Sequence, residues 1–195
     1  AGGGMKRLII YDLDGTLADT SQELVLANAY VLSQLAASPG HADAETAEAW
    51  LATYYAHHAY EHSRLYPGAR ALLGYFHGRT QAILTERPNP FARELMEVLG
   101  ILGDVADLIA GDSPYPGKPH PASALALMAR AGVTPAEALL IGDRAIDVET
   151  GRRAGICTVA VAHDRAMASA LRASGPDVLA EDLPHLLALA KRHGW

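Results

Sequence analysis

The stretch Arg7-Leu8-Ile9-Ile10-Tyr11-Asp12-Leu13-Asp14-Gly15-Thr16 decides the fold. An apolar run of strand length stops abruptly at two aspartates and a glycine, so a strand passes straight into a turn. Shorter apolar runs of the same kind recur at residues 81–84, 107–110, 138–141 and 157–161. Their apolarity is continuous, with no in–out alternation, which marks strands covered on both faces as in a parallel sheet. Helical patterns fall between them, at residues 90–99, 121–131 and 145–154. Alternation of this kind predicts a doubly wound α/β sheet.

One stretch breaks the alternation. Between residues 21 and 65 lie two helical segments with no strand between them, separated at Ser38-Pro39-Gly40. Apolar positions at Leu24, Leu26, Val31, Leu32 and Leu35, then Trp50, Leu51, Tyr54 and Tyr55, suit a helical hairpin. Ligands of open α/β sheets bind beyond the carboxyl ends of the strands, so an insertion directly after the first acidic turn would cover the site. The expected organisation is an α/β core of residues 5–20 and 66–195 with a helical cap at 21–65. Ala1-Gly2-Gly3-Gly4 ahead of Met5 reads as an expression scar.

Composition narrows the function. The 195 residues are half hydrophobic and carry a formal charge of −6, which argues against a nucleic-acid or anionic-membrane footprint. It does not exclude a small anionic substrate, which a few placed cations can hold. The single cysteine, Cys157, leaves no internal disulfide and fits a reducing, cytoplasmic setting. No apolar run approaches the roughly 18 residues that suggest a membrane span.

The chemistry-bearing residues sit where the strands end. Asp12 and Asp14, one residue apart, can project in different directions into one pocket, and Gly15 permits the turn. Such a pair suits a nucleophile and a general acid, or metal ligands, or both. A solvated turn or helix cap has the same residues. The apolar strand before them and Gly15-Thr16 after them favour the functional reading.

Asp12-Leu13-Asp14-Gly15-Thr16-Leu17-Ala18-Asp19-Thr20 resembles the signature of the haloacid dehalogenase-like hydrolases, in their phosphatase branch. The remaining motifs follow in that family's order, and the resemblance covers the chain from Lys6 to about Leu187. Thr85 stands where the family places a phosphoryl-binding Ser or Thr. Lys118, in Gly117-Lys118-Pro119-His120-Pro121, matches its phosphate-binding lysine. Gly142-Asp143-Arg144-Ala145-Ile146-Asp147 resembles its acidic metal motif. The resemblance implies a Rossmann-like core and a magnesium-dependent phosphomonoester hydrolase working through an aspartyl-phosphate. Asp12 would be the nucleophile and Asp14 the general acid and base. Asp12, the main-chain carbonyl of Asp14 and Asp143 would hold Mg2+, with Asp147 orienting a metal-bound water or Lys118. The implied partner is a small phosphorylated metabolite, such as phosphoglycolate, a sugar phosphate or a nucleotide. The enzyme would act as a monomer or weak homodimer. Asp19-Thr20 and the re-entry at Tyr66-Pro67-Gly68 resemble the phosphoglycolate phosphatase-like group, although the cap is shorter than the family's usual helical one.

These residue types also make physical sense together. Phosphate monoesters are inert, and a carboxylate nucleophile divides the displacement into two easier steps. A carboxylate meeting a phosphate dianion needs a cation between them, and magnesium takes hard oxygen ligands. A lysine and a hydroxyl can bind the phosphoryl oxygens.

The sequence departs from the family after Thr85, where Glu86-Arg87 replaces the common asparagine. Arg87 is then either a substrate contact or half of a surface ion pair. His58 and His62, four apart on a presumed helix, read as cap packing before they read as metal ligands, and Tyr54, Tyr55 and Tyr60 as cap core. Cys157 reads as a small buried hydrophobe, and Arg152-Arg153 as a solvated helix end. A phosphomutase shares every core motif. A dehalogenase of the family lacks the second acid, and a phosphoaccepting receiver or binding module lacks the Asp-x-Asp-Gly-Thr turn with its insertion.

Overall fold

The computed structural model describes residues 5–38, 43–58 and 60–195, so the expected scar at 1–4 and the break at Pro39-Gly40 lie outside the described residues. From β1 (Leu8–Tyr11) the chain passes through β2 (Ala18–Asp19), helices α1 (Ser21–Ala37) and α2 (Ala44–His58), and returns along β3 (Arg64–Leu65). There follow α3 (Ala69–Tyr75), β4 (Thr80–Leu84), α4 (Phe91–Val98), β5 (Asp107–Ile109), α5 (Ala122–Ala131) and β6 (Ala138–Gly142). The chain ends with α6 (Ala145–Ala154), β7 (Cys157–Val161), α7 (Ala168–Ala173), β8 (Val178–Ala180) and α8 (Leu183–His193).

Six strands form one parallel sheet in the order β5-β4-β1-β6-β7-β8. This is the doubly wound α/β architecture that the alternation predicts. The chain builds outward from β1 through β4 to β5, then crosses back to lay β6 on the other side of β1. The winding therefore reverses at β1, and a crevice opens at the carboxyl ends of strands at such a switch point.

Burial follows the period-2 geometry of a strand covered on both faces. Ile9, Tyr11, Ile83, Leu139 and Ile141 pack with Leu72, Leu95 and Leu186 on one face. Leu8, Ile10, Leu84 and Leu140 pack with Leu127 and Met128 of α5 on the other. Each such side chain contributes about 1.5–3 kcal/mol on burial. The sheet that carries the site is thus close-packed on both faces.

Three helices and three strands go beyond the sequence expectation: α3, α7, α8, the two-residue β2 and β3, and β8. The last strand is only Val-Leu-Ala, too short for a periodicity to declare itself. α8 begins at Asp182, whose carboxylate accepts the His185 backbone N–H at 2.7 Å, a side-chain cap.

The segment between β1 and α3 stands on a two-stranded antiparallel stem, Ala18 opposite Leu65 and Asp19 opposite Arg64. α1 packs on α2, and Tyr54, Tyr55 and Tyr60 are buried together. Not every apolar position of the pattern is covered: Leu32 is 63% exposed and Leu24 39%. A helix with one helical neighbour covers only part of an apolar set, and Leu24 faces the cleft instead. Among the described residues no helix is long and apolar enough to cross a membrane.

Candidate active site

Three neighbouring strands deliver the site. Asp12 follows β1, Thr85 follows β4 and Asp143 follows β6, so all three stand at the carboxyl edge of the sheet around the switch point. The Asp12 backbone N–H donates to the Ile141 carbonyl at 2.9 Å, and the Thr85 N–H to the Ile109 carbonyl at 3.1 Å, so the ladder extends under the functional residues. Gly15 has φ +81, the left-handed region that favours glycine. A Cβ there would stand 2.3 Å from an Asp143 carboxylate oxygen, so this turn also lets the two acidic motifs meet. At Gly142 a Cβ would meet Asp147 at 2.3 Å, which requires a bare backbone where α6 begins.

Lys118 lies under the nucleophile candidate. Its Nζ is 3.0 Å from Asp12 Oδ1 and 2.5 Å from Asp147 Oδ1, and all three side chains are at most 3% exposed. Asp147 Oδ2 accepts the Arg144 backbone N–H at 3.0 Å. The other Asp12 oxygen, Oδ2, is buried and has no hydrogen-bond partner. Burial pushes the Asp12 carboxyl up to about 8; Lys118 opposes this and the Asp147 and Asp143 charges add to it. Burial likewise raises Asp143, against the Thr16 hydroxyl that donates to it at 2.8 Å. Crowded carboxylates with an orphaned oxygen are the condition that a bound cation relieves.

Asp12, Asp143 and Asp147 each offer a carboxylate oxygen, and these lie within 4.8 Å of one another. The donors are all hard oxygens, with no imidazole or thiolate, which suits Mg2+ better than a softer metal. The residues present therefore fit a magnesium site.

Asp14 points elsewhere. Its carboxylate receives the Arg87 guanidinium, Nε at 3.2 and 3.1 Å from its two oxygens and Nη2 at 2.5 Å from Oδ1, and the Thr20 hydroxyl at 2.7 Å. Burial alone would raise this carboxyl; the Arg87 fork and Thr20 outweigh it and hold Asp14 below the ordinary range. Arg87 in turn donates to Tyr55 Oη at 3.2 Å, and its side chain is only 4% exposed. It is neither in a surface ion pair nor bonded to Glu86, which pairs with Arg144 at 2.6 Å. Arg87 joins Asp14, at the floor of the cleft, to the α2 helix above it.

A cavity of about 450 Å³ lies between these strand ends and the two inserted helices. Asp12, Asp14, Thr85, Arg87 and Asp143 line its floor. Leu24, Leu51, Tyr55 and Phe91 line the opposite side. The structure thus brings Asp12, Asp14, Thr85, Arg87, Lys118, Asp143 and Asp147 to one crevice. His58 is exposed and stacks on Tyr54 at 4.4 Å; neither it nor His62 reaches the cavity. Arg152 and Arg153 pair with Glu149 on the helix surface. Cys157 is half-buried at the start of β7.

The sequence reading assigned no role to Thr20 or Arg144. Arg144 stands 4.0 Å from Asp12 Oδ2, beside the place where a phosphoryl group would sit. Adjacency to Asp143 was the available signal for Arg144, and the run after Gly15 was that for Thr20.

A family model described as haloacid dehalogenase-like hydrolase matches residues 22–155. A Pseudomonas putida protein named phosphoglycolate phosphatase is 30% identical over 217 residues, spanning 95% of this chain and 80% of that protein. A Rhodospirillum rubrum protein of the same name is 36% identical over 127 residues, 63% of this chain and 53% of its own length. Among solved structures, a protein of Haemophilus somnus described as a predicted phosphoglycolate phosphatase superposes with a TM-score of 0.82 at 21% identity, covering 97% of this chain and all of its own. A hydrolase from Pseudomonas syringae gives 0.77 at 24% identity, over 96% and 99% of the two chains. At these identities the solved structures speak for the fold.

Proposed function

The chain belongs to the haloacid dehalogenase-like hydrolases, in their phosphatase branch, and from that premise we propose that it hydrolyses a small phosphomonoester through a covalent intermediate on Asp12. The observation that carries this reading is the buried, partnerless Asp12 Oδ2 at the switch point of the sheet, backed by Lys118. Asp12 and Asp143, with the Asp14 carbonyl and Asp147 beside them, would hold the metal. When bound, Mg2+ supplies the positive charge that lets an anionic carboxylate meet an anionic phosphate.

The residues of the chain divide the work. Asp12 attacks phosphorus, the bond to the leaving oxygen breaks, and that oxygen takes a proton from Asp14. Asp14 then accepts a proton from water, whose oxygen attacks the aspartyl-phosphate and releases phosphate and a free Asp12. Lys118 and the Thr85 hydroxyl bind the phosphoryl oxygens, and Arg144 stands ready to do the same. Asp147 fixes Lys118 by their ion pair. Asp14 now accepts from Arg87 and Thr20 chiefly through Oδ1, so the proton it passes belongs on Oδ2, whose one contact among the described residues is Arg87 Nε at 3.1 Å, and Arg87 Nη2 stays on Oδ1. Residues 21–65 act as the cap over this floor, on a core of 5–20 and 66–195. A cytoplasmic protein working as a monomer or weak homodimer is in keeping with the lone Cys157.

The test is turnover of a generic aryl phosphate with and without metal. Activity in Mg2+ should vanish in excess chelator and return when Mg2+ is restored. Undiminished turnover at verified negligible metal content would overturn the proposal.

A further inference from the structure

On the hydrolytic reading above, we infer that this site accepts phosphate esters of uncharged, apolar or aromatic alcohols and rejects those whose leaving group carries a second negative charge. A second cavity of about 660 Å³ borders the one over the carboxylates, and the two share Leu51, Glu86, Pro88 and Phe91 as common walls. The phosphoryl group belongs at the floor, against Asp12 and Lys118. Whatever it is esterified to must lie between α1, α2 and the start of α4.

The wall there is apolar. Leu24 and Leu51 contribute aliphatic surface, and Tyr55 packs against Phe91 with ring centroids 5.0 Å apart. Tyr55 also stacks on Tyr60 with ring centroids 4.9 Å apart, which fixes its position. An apolar or aromatic alcohol would gain by removing its own surface and the wall's from water.

The charges decide against a second anion. Among the described residues lining either cavity, the basic ones are Arg87 and Arg144. Arg87 is buried and committed to Asp14. Arg144 is paired with Glu86 and stands beside Asp12, where it meets the phosphate and not the leaving group. The second cavity adds Glu45, Glu48, Glu94 and Asp112, and no basic side chain. A carboxylate on the leaving group would enter a region of its own sign, with no uncommitted cation among the described lining residues to meet it. The Pseudomonas putida relative is named for phosphoglycolate, whose leaving alcohol carries such a carboxylate. The inference separates this chain from that substrate.

The experiment compares benzyl phosphate with phosphoglycolate on the full chain in Mg2+. Both leaving groups are alkyl alcohols, so a difference reports binding and not leaving-group chemistry. kcat/KM should favour benzyl phosphate by about tenfold or more, within the range that one pocket contact can supply. Raising salt should narrow the gap by improving phosphoglycolate, because screening weakens the repulsion. Leu51→Lys, which puts a cation on the wall, should shift the ratio toward phosphoglycolate by a similar factor. Parity or a preference for phosphoglycolate in the native chain would overturn the inference and leave the hydrolytic reading standing. So would a folded Leu51→Lys protein with an unmoved ratio. If neither ester nor a generic aryl phosphate is turned over in Mg2+, the hydrolytic reading falls and takes this inference with it.

Discussion

Below the cleft, at the strand ends, charged side chains are held by other charged side chains: Asp12 and Asp147 by Lys118, Asp14 by Arg87. Above it, α1 and α2 present aliphatic and aromatic surface, part of it uncovered, as at Leu24 and Leu32. The floor rests on a sheet buried on both faces, where a misplaced group meets close-packed neighbours. The roof rests on a two-residue stem and a few cross-cleft bonds, among them Arg87 to Tyr55 and Tyr60 to Glu94. Chemistry that needs fixed atoms is therefore built on the rigid part. On the proposed reading, selection, which tolerates variation, falls to the part that is tied to the sheet by fewer contacts.

Substitutions can break this division. The largest effect should come from the floor: Asp12→Asn replaces the attacking carboxylate by an amide and should lower kcat by about 10⁴-fold or more. Retention of near-normal turnover in a folded protein would remove the covalent mechanism. Lys118→Ala should cost about 10²–10³ in kcat, similar to losing one oxyanion donor, and it leaves Asp12 and Asp147 facing each other without their common cation. A melting curve alongside the kinetics separates lost catalysis from lost folding.

Arg87 sits on the boundary between the two regions and sharpens the comparison. Arg87→Ala frees Asp14 and cuts the tie to Tyr55, so kcat should fall by up to about 10²-fold, the scale of a misplaced reacting group. Arg87→Lys keeps the charge without the planar fork and should recover only part of the loss. Full activity in Arg87→Ala would mean that the clamp plays no part in turnover.

The smallest effects should lie in the roof. Tyr55→Phe removes only the hydroxyl that accepts from Arg87, and kcat/KM should change by less than about tenfold. His58→Ala, on the exposed side of α2, should leave kinetics on any ester unchanged. A loss from His58→Ala equal to that from Lys118→Ala would abolish the distinction between floor and roof.

The sequence was informative where a signal is local. Five of the six sheet strands, the edge strand β5 among them, stand out because a strand covered on both faces is largely apolar, and the turn after Tyr11 stands out because two carboxylates and a glycine end such a run. The helical insertion is legible from two successive helical patterns with no strand pattern between them. β8 was not, because three residues hold no period. Glu23 shows the same limit inside a helix. Its place in α1 looks like a solvated face, yet it is fully buried and accepts the His62 backbone N–H at 3.3 Å. Nothing in the residues around it announces a partner 39 positions away.

Sequence alone determined the alternation of the core strands and helices, the doubly wound class and which acids end which strands, since each depends on neighbours within a few residues along the chain. Tertiary structure alone decided who faces whom. Arg87 is 73 residues from Asp14 and 32 from Tyr55; the parallel pairing of β1 with β4 brings Arg87 to Asp14, and the placement of α2 over the cleft brings Tyr55 to Arg87. The charge character of the cleft was decided in the same way. A net of −6 over the whole chain says nothing about one wall; that depends on which side chains the fold turns inward and which counter-ions it has already used.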